Sequence, residues 1–210
     1  LLKHEDIEIT NIDAELYGSD HRNLAQIKNS DRYNFVKGNI SNKKLMEEQI
    51  SSCDAVVNFA AESHVDKSIH SSNLFIDTNI KGTNNLLASC NELIKNGILS
   101  EQFRFIQVST DEVYGSLKHT EPAFTELSIL KPTNPYSASK ASADLIALAY
   151  FKTHNSPVIV TRCSNNFGPY QYPEKLIPLV INQIANNKKI PVYGDGQQIR
   201  DWIYVEDHCS

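Results

Sequence analysis

Residues 103–115 read FRFIQVSTDEVYG, and this stretch decides the kind of sheet that the rest of the chain must build. Its first eight residues, 103–110, are rich in Phe, Ile and Val, which predicts a strand that is buried on both faces. Such strands occur in parallel sheets covered by helices. Two adjacent acids, Asp111 and Glu112, follow at the carboxyl end of this strand. They are either turn-capping residues or groups that face a ligand.

The same pattern recurs along the chain. Further strands are predicted at 7–13, 33–40, 54–60 and 157–165. Helical patterns lie at 20–28, 42–51, 65–96 and 135–153. This alternation predicts an α/β fold with a doubly wound, Rossmann-like parallel sheet. After residue 168, Pro and Gly punctuate the chain around one helix and a short strand, so we expect a first domain over 1–168 and the start of a smaller substrate-binding lobe over 169–210.

Composition excludes several classes of function. The 210 residues carry a formal net charge of −5, and the 20 Lys and Arg residues are scattered, so nucleic acid is not expected as a partner. No apolar run approaches the length of a membrane span, and a cytoplasmic protein without a membrane partner is expected. The four cysteines form no CxxC pair, and His64 and His70 have no carboxylate or Cys at ligand spacing, so no metal is predicted.

Small or polar residues close the predicted strands, where a doubly wound sheet binds its ligands. An acid at such a strand end is the usual partner of an adenosine ribose, and Asp13 has this position, although a turn residue would look the same. No GxGxxG motif occurs among the eight glycines. We therefore expect that the chain lacks the first strand and pyrophosphate loop of such a domain, through truncation or through divergence.

Three YxxxK pairs occur, and their context distinguishes them. Tyr33 and Lys37 lie in a predicted strand, and Tyr114 and Lys118 span a loop that contains glycine. Only Tyr136 opens a predicted helix, because Asn134 and Pro135 suit the N-cap and the first helical position. Lys140 then lies one turn below Tyr136, where an ammonium favours tyrosinate and makes the phenol a base. The alternative is a packed Tyr beside a snorkelling Lys.

Five segments together resemble the nucleotide-sugar 4,6-dehydratases of the extended short-chain dehydrogenase group. They are AAESHVD (60–66), STDEVYG (109–115), PYSASKAS (135–142), CSNNFGPYQYPEKLIPL (163–179) and GDGQQIRDWIYVEDH (194–208). Related epimerases and decarboxylases share the Tyr and Lys but do not usually carry the acid pair. The chain departs from the family in lacking the glycine-rich NAD loop and most of the C-terminal lobe, and in having Asn39 where an Asp is common.

The resemblance implies a reaction in which C4 of a nucleoside-diphosphate glucose is oxidised before water is eliminated across C5 and C6. Tyr136 would take the O4 proton with help from Lys140 and Thr110, Glu112 would take the C5 proton, and Asp111 would protonate the leaving hydroxyl. NAD would accept the hydride and return it to C6. The expected substrate is dTDP-glucose, and UDP-glucose dehydratases share these motifs. Such a division of roles needs two carboxyls with different pKa values.

The same resemblance implies the remaining contacts. NAD is expected to be lined by Asp13, Asn39, Ile40, Ala60, Ala61, Ser63, Thr78, Tyr136, Lys140 and Asn166. The substrate is expected to meet Ser63, Thr110, Asn165, Lys175, Leu176, Pro191, Tyr193 and Arg200. In the family, helices equivalent to 78–96 and 136–153 form a four-helix homodimer interface. A non-catalytic subunit that keeps the fold is the alternative from a different class.

Overall fold

The computed structural model describes residues 1–192 and 194–210, which form two compact units, Leu1–Arg162 and Cys163–Ser210. Strands and helices alternate through the first unit, so the predicted α/β, Rossmann-like fold class is confirmed. The functional boundary between residues 168 and 169 stays a prediction.

All five predicted strands of the first unit are present. They are β1 Ile9–Asp13, β2 Tyr33–Lys37, β3 Ala55–Asn58, β4 Arg104–Thr110 and β5 Val158–Cys163. Strands β1 and β2 pair in parallel, and a second sheet has the order β3–β4–β5 with a parallel β3–β4 pair. The structure thus differs from the single sheet that was predicted, since in the described residues no ladder joins the two groups. Parallel pairing places Asp13 opposite Lys37, so the carboxyl ends of neighbouring strands lie together.

The helices differ from the prediction in two places. The segment at 20–28 contains only a short 3₁₀ helix, His21–Leu24. The single helix expected at 65–96 is divided into α2 Val65–His70, α3 Asn73–Phe75, a π-helical turn Ile76–Gly82 and α4 Thr83–Lys95. Ser71 ends α2 with extended backbone (φ −152°), which is consistent with the weak preference of serine for helix interiors. The predicted helices at 42–51 and 135–153 are α1 Lys43–Ile50 and α5 Pro135–His154.

Helices α1, α4 and α5 pack together and enclose the main core of the first unit. The core contains Ile40, Met46, Ile50, Leu86, Leu87, Cys90, Leu93, Leu99, Phe103, Phe105 and Ala147. Phe103 and Phe105 flank the start of β4 and are 1% exposed, as expected for a strand covered by helices. The core therefore anchors the strand that ends at the acid pair.

The second unit contains α6 Leu176–Ala185 and the parallel strands β6 Asn165–Phe167 and β7 Trp202–Tyr204, followed by α7 Val205–Cys209. The predicted helix is confirmed as α6. The short strand expected within 168–196 is absent from the described residues of that stretch, and β6, β7 and α7 were not foreseen as separate elements. In the part of the chain that the structure describes, no helix has the length and apolar character needed to cross a membrane.

Candidate active site

The acid pair lies at the carboxyl end of β4, where a 3₁₀ turn, Asp111–Tyr114, begins. Thr110 is the N-cap of this turn: its Oγ1 accepts a hydrogen bond from the Glu112 amide (3.3 Å) and lies 3.2 Å from Asp111 Oδ1, to which it can donate. Thr110 is buried, and both acids are half-buried. The capping role considered for the acids thus belongs to Thr110.

Gly115 follows the 3₁₀ turn Asp111–Tyr114, called the acid turn below, and determines the direction in which the backbone leaves it. Its φ is +87°, and a Cβ at this position would lie 2.3 Å from the carbonyl oxygen of Lys131. The Lys131 amide in turn donates to the carbonyl of Val113 (3.0 Å). Only glycine fits this close approach. Val113 and Gly115, which follow the acid pair, are therefore held against the backbone of Lys131.

The N-terminus of α5 has the geometry that the sequence predicts. Asn134 Oδ1 accepts from the Ser137 amide (2.8 Å), Ser137 Oγ accepts from the Asn134 amide (3.2 Å), and Pro135 is the first helical residue. Tyr136 is half-buried, and its amide donates to Ser68 Oγ (3.2 Å). Tyr136 is therefore held in the first turn of the helix.

Two contacts join α5 to the strand end that carries the acids. Asn134 Nδ2 lies 3.5 Å from Glu112 Oε2, so the N-cap of the helix reaches the second acid. Lys140 Nζ donates to the Val108 carbonyl in β4 (2.6 Å), and Lys140 is 4% exposed. The alternative of a snorkelling lysine is therefore wrong. Acids, phenol and ammonium lie on two segments that contact each other directly.

Asp13, Asn39 and Ile40, which are predicted to line the cofactor, differ in burial and in hydrogen bonding. Asp13 closes β1, and its Oδ1 accepts from the Glu15 amide (2.6 Å). Asn39 is exposed and accepts from the Ser41 amide (2.9 Å). The Ile40 side chain packs in the core, where it is 8% exposed. Any contact of residue 40 with a cofactor would therefore use its backbone.

The segment after β3 is tied to α5 by a residue that the sequence analysis missed. Ala60 and Ala61 are half-buried, Ser63 is exposed, and Thr78 is half-buried in the π-helical turn. Asn79, 1% exposed, accepts from the Glu62 amide (2.8 Å) and donates to the Glu62 carbonyl (3.0 Å) and to Ser139 Oγ (2.8 Å). No sequence signal identifies Asn79, because the π-helical turn that carries it is visible only in the structure.

Six of the substrate and cofactor residues predicted in the second unit can be placed. Asn165 and Asn166 lie in β6, Lys175 and Leu176 open α6, and Pro191 and Arg200 are exposed. Asn166 Oδ1 lies 2.8 Å from His208 Nδ1, and its Nδ2 donates to Cys163 Sγ and the Ser164 carbonyl (3.2 Å each). Arg200 Nη1 donates to the neighbouring Ile199 carbonyl (2.8 Å). The predicted Tyr193 lies outside the described residues.

Over residues 1–192 and 194–210, no group of three or more His, Cys, Asp or Glu side chains is arranged to hold a metal ion.

Comparison with known proteins places this site in a family. The family model described as GDP-mannose 4,6 dehydratase matches residues 1–210. The chain belongs to this dehydratase family. The family resemblance inferred from the sequence is thus confirmed, whereas the roles of Asp111, Glu112, Tyr136 and Lys140 stay predictions.

Curated relatives of this dehydratase family extend well beyond the chain. The dTDP-glucose 4,6-dehydratase of Xanthomonas campestris pv. campestris is 47% identical over 208 residues, covering 97% of this chain and 59% of the relative. A low-salt glycan biosynthesis protein of Haloferax volcanii is 45% identical over 210 residues, covering 100% of this chain and 65% of the relative. The chain thus spans about three fifths of the length of these relatives.

Solved structures agree with this assignment to the dehydratase family. A dTDP-glucose 4,6-dehydratase from Streptomyces venezuelae, crystallised with NAD and TYD bound, has a TM-score of 0.90 at 42% identity and covers 96% of this chain and 60% of its own. A UDP-glucuronic acid 4-epimerase from Bacillus cereus has a TM-score of 0.89 at 26% identity, covering 99% and 64%. The fold is therefore shared with this epimerase, so the fold by itself does not distinguish the two reactions.

Proposed function

We propose that this chain carries the catalytic centre of an NAD-dependent nucleotide-sugar 4,6-dehydratase. The observation that carries the proposal is the strand end of β4, where Asp111 and Glu112 follow Thr110 and Glu112 contacts the N-cap of the helix that bears Tyr136 and Lys140. A base for O4, a base for C5 and an acid for O6 are then available on adjoining segments. The high identity to proteins named dTDP-glucose 4,6-dehydratase supports this assignment.

The residues present fit NAD as the cofactor. Asp13 is half-buried at the carboxyl end of β1, where a carboxylate suits the hydroxyls of an adenosine ribose, and Ala60 and Ala61 offer little bulk at the end of β3. NAD, when bound, supplies the oxidant for C4 and later the reductant for C6. Crystal structures of two relatives described as containing NAD support its assignment to this chain.

Tyr136 and Lys140 provide the base for the first step. Tyr136 removes the proton of the C4 hydroxyl, and a buried ammonium one helical turn below it favours the phenolate that must exist for this to happen. Lys140 is held in place by its bond to the Val108 carbonyl (2.6 Å). Thr110, buried at the end of β4, would orient the sugar hydroxyl towards Tyr136.

Asp111 and Glu112 provide the elimination pair. Once C4 is a ketone, the C5 proton is acidic, and Glu112 removes it while protonated Asp111 donates a proton to the leaving C6 hydroxyl. Thr110 Oγ1 lies 3.2 Å from Asp111 Oδ1, whereas Asn134 Nδ2 lies 3.5 Å from Glu112 Oε2. The proposed division of roles requires Asp111 to be protonated while Glu112 is ionised.

The second unit would bind the nucleoside diphosphate. Lys175 at the start of α6 and the exposed Arg200 supply cations suited to phosphate, and Asn165 supplies an amide. Leu176, Pro191 and Tyr193 complete the predicted set, with dTDP-glucose as the substrate. A cytoplasmic location and a functional boundary at residue 168 stay predictions.

We further propose a homodimer formed through α5. Leu145, Leu148 and Phe151 lie on one side of this helix and are 58%, 43% and 51% exposed. The apolar residues Leu86, Leu87 and Leu93 of α4 are instead buried in the core. Helix α5 is therefore the better-supported contributor of the two predicted helices.

The dehydration steps are testable by separating oxidation from elimination in the full-length protein with dTDP-glucose. Glu112→Gln should still oxidise C4 but incorporate little solvent deuterium at C5, because an amide cannot take the proton. Asp111→Asn should oxidise C4 and expel the hydroxyl slowly. Tyr136→Phe should slow the first step by about 10²-fold or more. Single-turnover absorbance of reduced cofactor and mass spectrometry of deuterium uptake measure the two steps.

Glu126, which is exposed in the loop between the acid pair and α5, supplies a matched control for Glu112. Glu126→Gln makes the same Glu-to-Gln change at a residue away from the end of β4. It should behave as the wild type. Unimpaired C5 exchange in Glu112→Gln would exclude the acid pair from elimination and favour an epimerase or decarboxylase reaction. A full-length protein that binds NAD but turns over no nucleotide sugar would support a non-catalytic subunit.

A further inference from the structure

A buried carboxylate lies one helical turn below the proposed catalytic lysine. Asp144 follows Lys140 by four residues in α5, so the two side chains share one face of the helix. Asp144 has no exposed surface, and Lys140 is 4% exposed. The reaction proposed above assigns no role to Asp144, although a fully buried acid is rare unless it is paired.

Arg162 pairs with Asp144 and continues to the acid turn. Its Nε donates to Asp144 Oδ2 (2.8 Å), and its Nη1 donates to the hydroxyl of Tyr114 (2.8 Å). Arg162 lies in β5, and the guanidinium carbon is 5.2 Å from the centroid of the Tyr114 ring. One planar guanidinium thus bridges α5 and the turn by two different nitrogens, which a lysine cannot do.

Tyr114 is the last residue of the 3₁₀ turn that begins with Asp111 and Glu112. Its ring is 7% exposed and stacks on Phe124 with centroids 5.1 Å apart. Gly115 follows directly and is held against the Lys131 carbonyl. Since a four-residue turn has little freedom between two fixed ends, the position of Tyr114 constrains the backbone that carries the two carboxyls.

We propose that Asp144, Arg162 and Tyr114 form a buried positioning chain that sets the acid pair against Tyr136 and Lys140. None of the three is a catalytic residue in this scheme. Asp144 fixes the guanidinium, the guanidinium fixes the Tyr114 hydroxyl, and Tyr114 fixes the turn. The inference rests on the proposed elimination by Asp111 and Glu112 and adds the device that aligns them with the oxidation site.

The charges around Asp144 are consistent with the role of the positioning chain. Burial raises the pKa of the Asp144 carboxyl, while the hydrogen bond from Arg162 and the charges of Arg162 and Lys140 oppose this effect. The buried carboxylate therefore has two cations nearby, one on its own helix and one on β5. Such a group contributes specificity of geometry when every partner is present, and it is destabilising when one is removed.

Tyr114→Phe is the least disruptive test, because it removes one hydroxyl and keeps the stacked ring. In the full-length protein with dTDP-glucose, elimination, measured as C5 deuterium exchange and product release, should fall about 10-fold, since sub-ångström misplacement of a catalytic group has effects of this order. Formation of reduced cofactor in a single turnover should stay within about twofold of the wild type. Arg162→Lys should produce the same imbalance between the steps, because it keeps the charge and loses the bridge.

Tyr33→Phe is the matched control, since the Tyr33 hydroxyl also accepts a hydrogen bond, from Asn11 Nδ2 (2.9 Å), at the opposite end of the strands from the site. It should change neither step. Equal losses of both steps in Tyr114→Phe, or no loss, would overturn the positioning chain. Glu112→Gln, measured in parallel, distinguishes failure of the positioning chain from failure of the proposed function. If Glu112→Gln abolishes C5 exchange while Tyr114→Phe matches the wild type, the proposed function stands and the positioning chain is refuted. Unimpaired exchange in Glu112→Gln removes the basis of both.

Discussion

Replacement of Asn79 by alanine tests whether the cofactor side of the site depends on a single buried amide. Asn79→Ala removes three hydrogen bonds of 2.8 to 3.0 Å, two with the Glu62 backbone and one with Ser139. A net contribution of about 1 kcal/mol for each gives a loss of about 3 kcal/mol in the free energy of unfolding. For a chain of this size, that loss lowers the melting temperature by about 6–12 °C.

The same substitution should weaken NAD binding, because Glu62 lies between Ala61 and Ser63 in the segment proposed to line the cofactor. Thermal unfolding followed by circular dichroism measures the first effect, and calorimetric titration with NAD measures the second. Asn84→Ala is the control: Asn84 is exposed in α4, and its Oδ1 has only a long contact with the Tyr150 hydroxyl (3.4 Å). The control should melt within about 2 °C of the wild type. A melting temperature of Asn79→Ala indistinguishable from that of Asn84→Ala would refute the reasoning.

Two further predictions concern the core and the surface. Burial raises the pKa of the Cys90 thiol to about 12, above the ordinary value, so the thiol is protonated near neutral pH. The contribution of this shift to the free energy of unfolding is lost only as the pH rises towards 12. Iodoacetamide at about pH 8 should therefore modify the exposed Cys209 in the native protein and Cys90 only after unfolding; rapid native labelling of Cys90 would contradict the packing. Leu148→Glu places a charge in the exposed apolar side of α5 and should convert a full-length dimer to a monomer in light scattering, whereas an unchanged mass would exclude this surface as the interface.

The sequence predicted those features that depend on neighbouring residues alone, such as apolar periodicity and helix capping. The five strands of the first unit follow from apolar periodicity, and the start of α5 follows from Asn134 and Pro135, whose capping preferences need no tertiary context. The acid pair could be placed at a strand end for the same reason. The division of residues 65–96 could not, because the π-helical turn Ile76–Gly82 changes the hydrogen-bonding pattern without leaving a clear signal in helical periodicity.

Long-range contacts account for the other differences. Ile40 is predicted to line the cofactor, and its side chain packs in the core, where a Cβ on Gly82 would lie 2.5 Å from the Ile40 Cδ1. The absence of a side chain at residue 82 therefore makes room for Ile40. Asp144 in α5 and Arg162 in β5 are 18 residues apart in the sequence and meet only in the folded chain. No local pattern identifies such a pair, although the spacing of Asp144 from Lys140 places both on one helical face.

The proposed roles of Glu112 and Asp111 require different positions relative to Tyr136. The sugar carbon that carries the C4 hydroxyl is bonded directly to C5, whereas C6 is one bond further away, so the base for C5 should lie on the side of Tyr136. Glu112 contacts Asn134, two residues before Tyr136, while Asp111 contacts Thr110 at the end of β4. In the proposed scheme, the contact between Glu112 and the N-cap of the helix that bears Tyr136 is consistent with Glu112 as the base for C5. If the roles were reversed, Asp111→Asn rather than Glu112→Gln would lose deuterium incorporation at C5, because the residue that takes the C5 proton would then be Asp111.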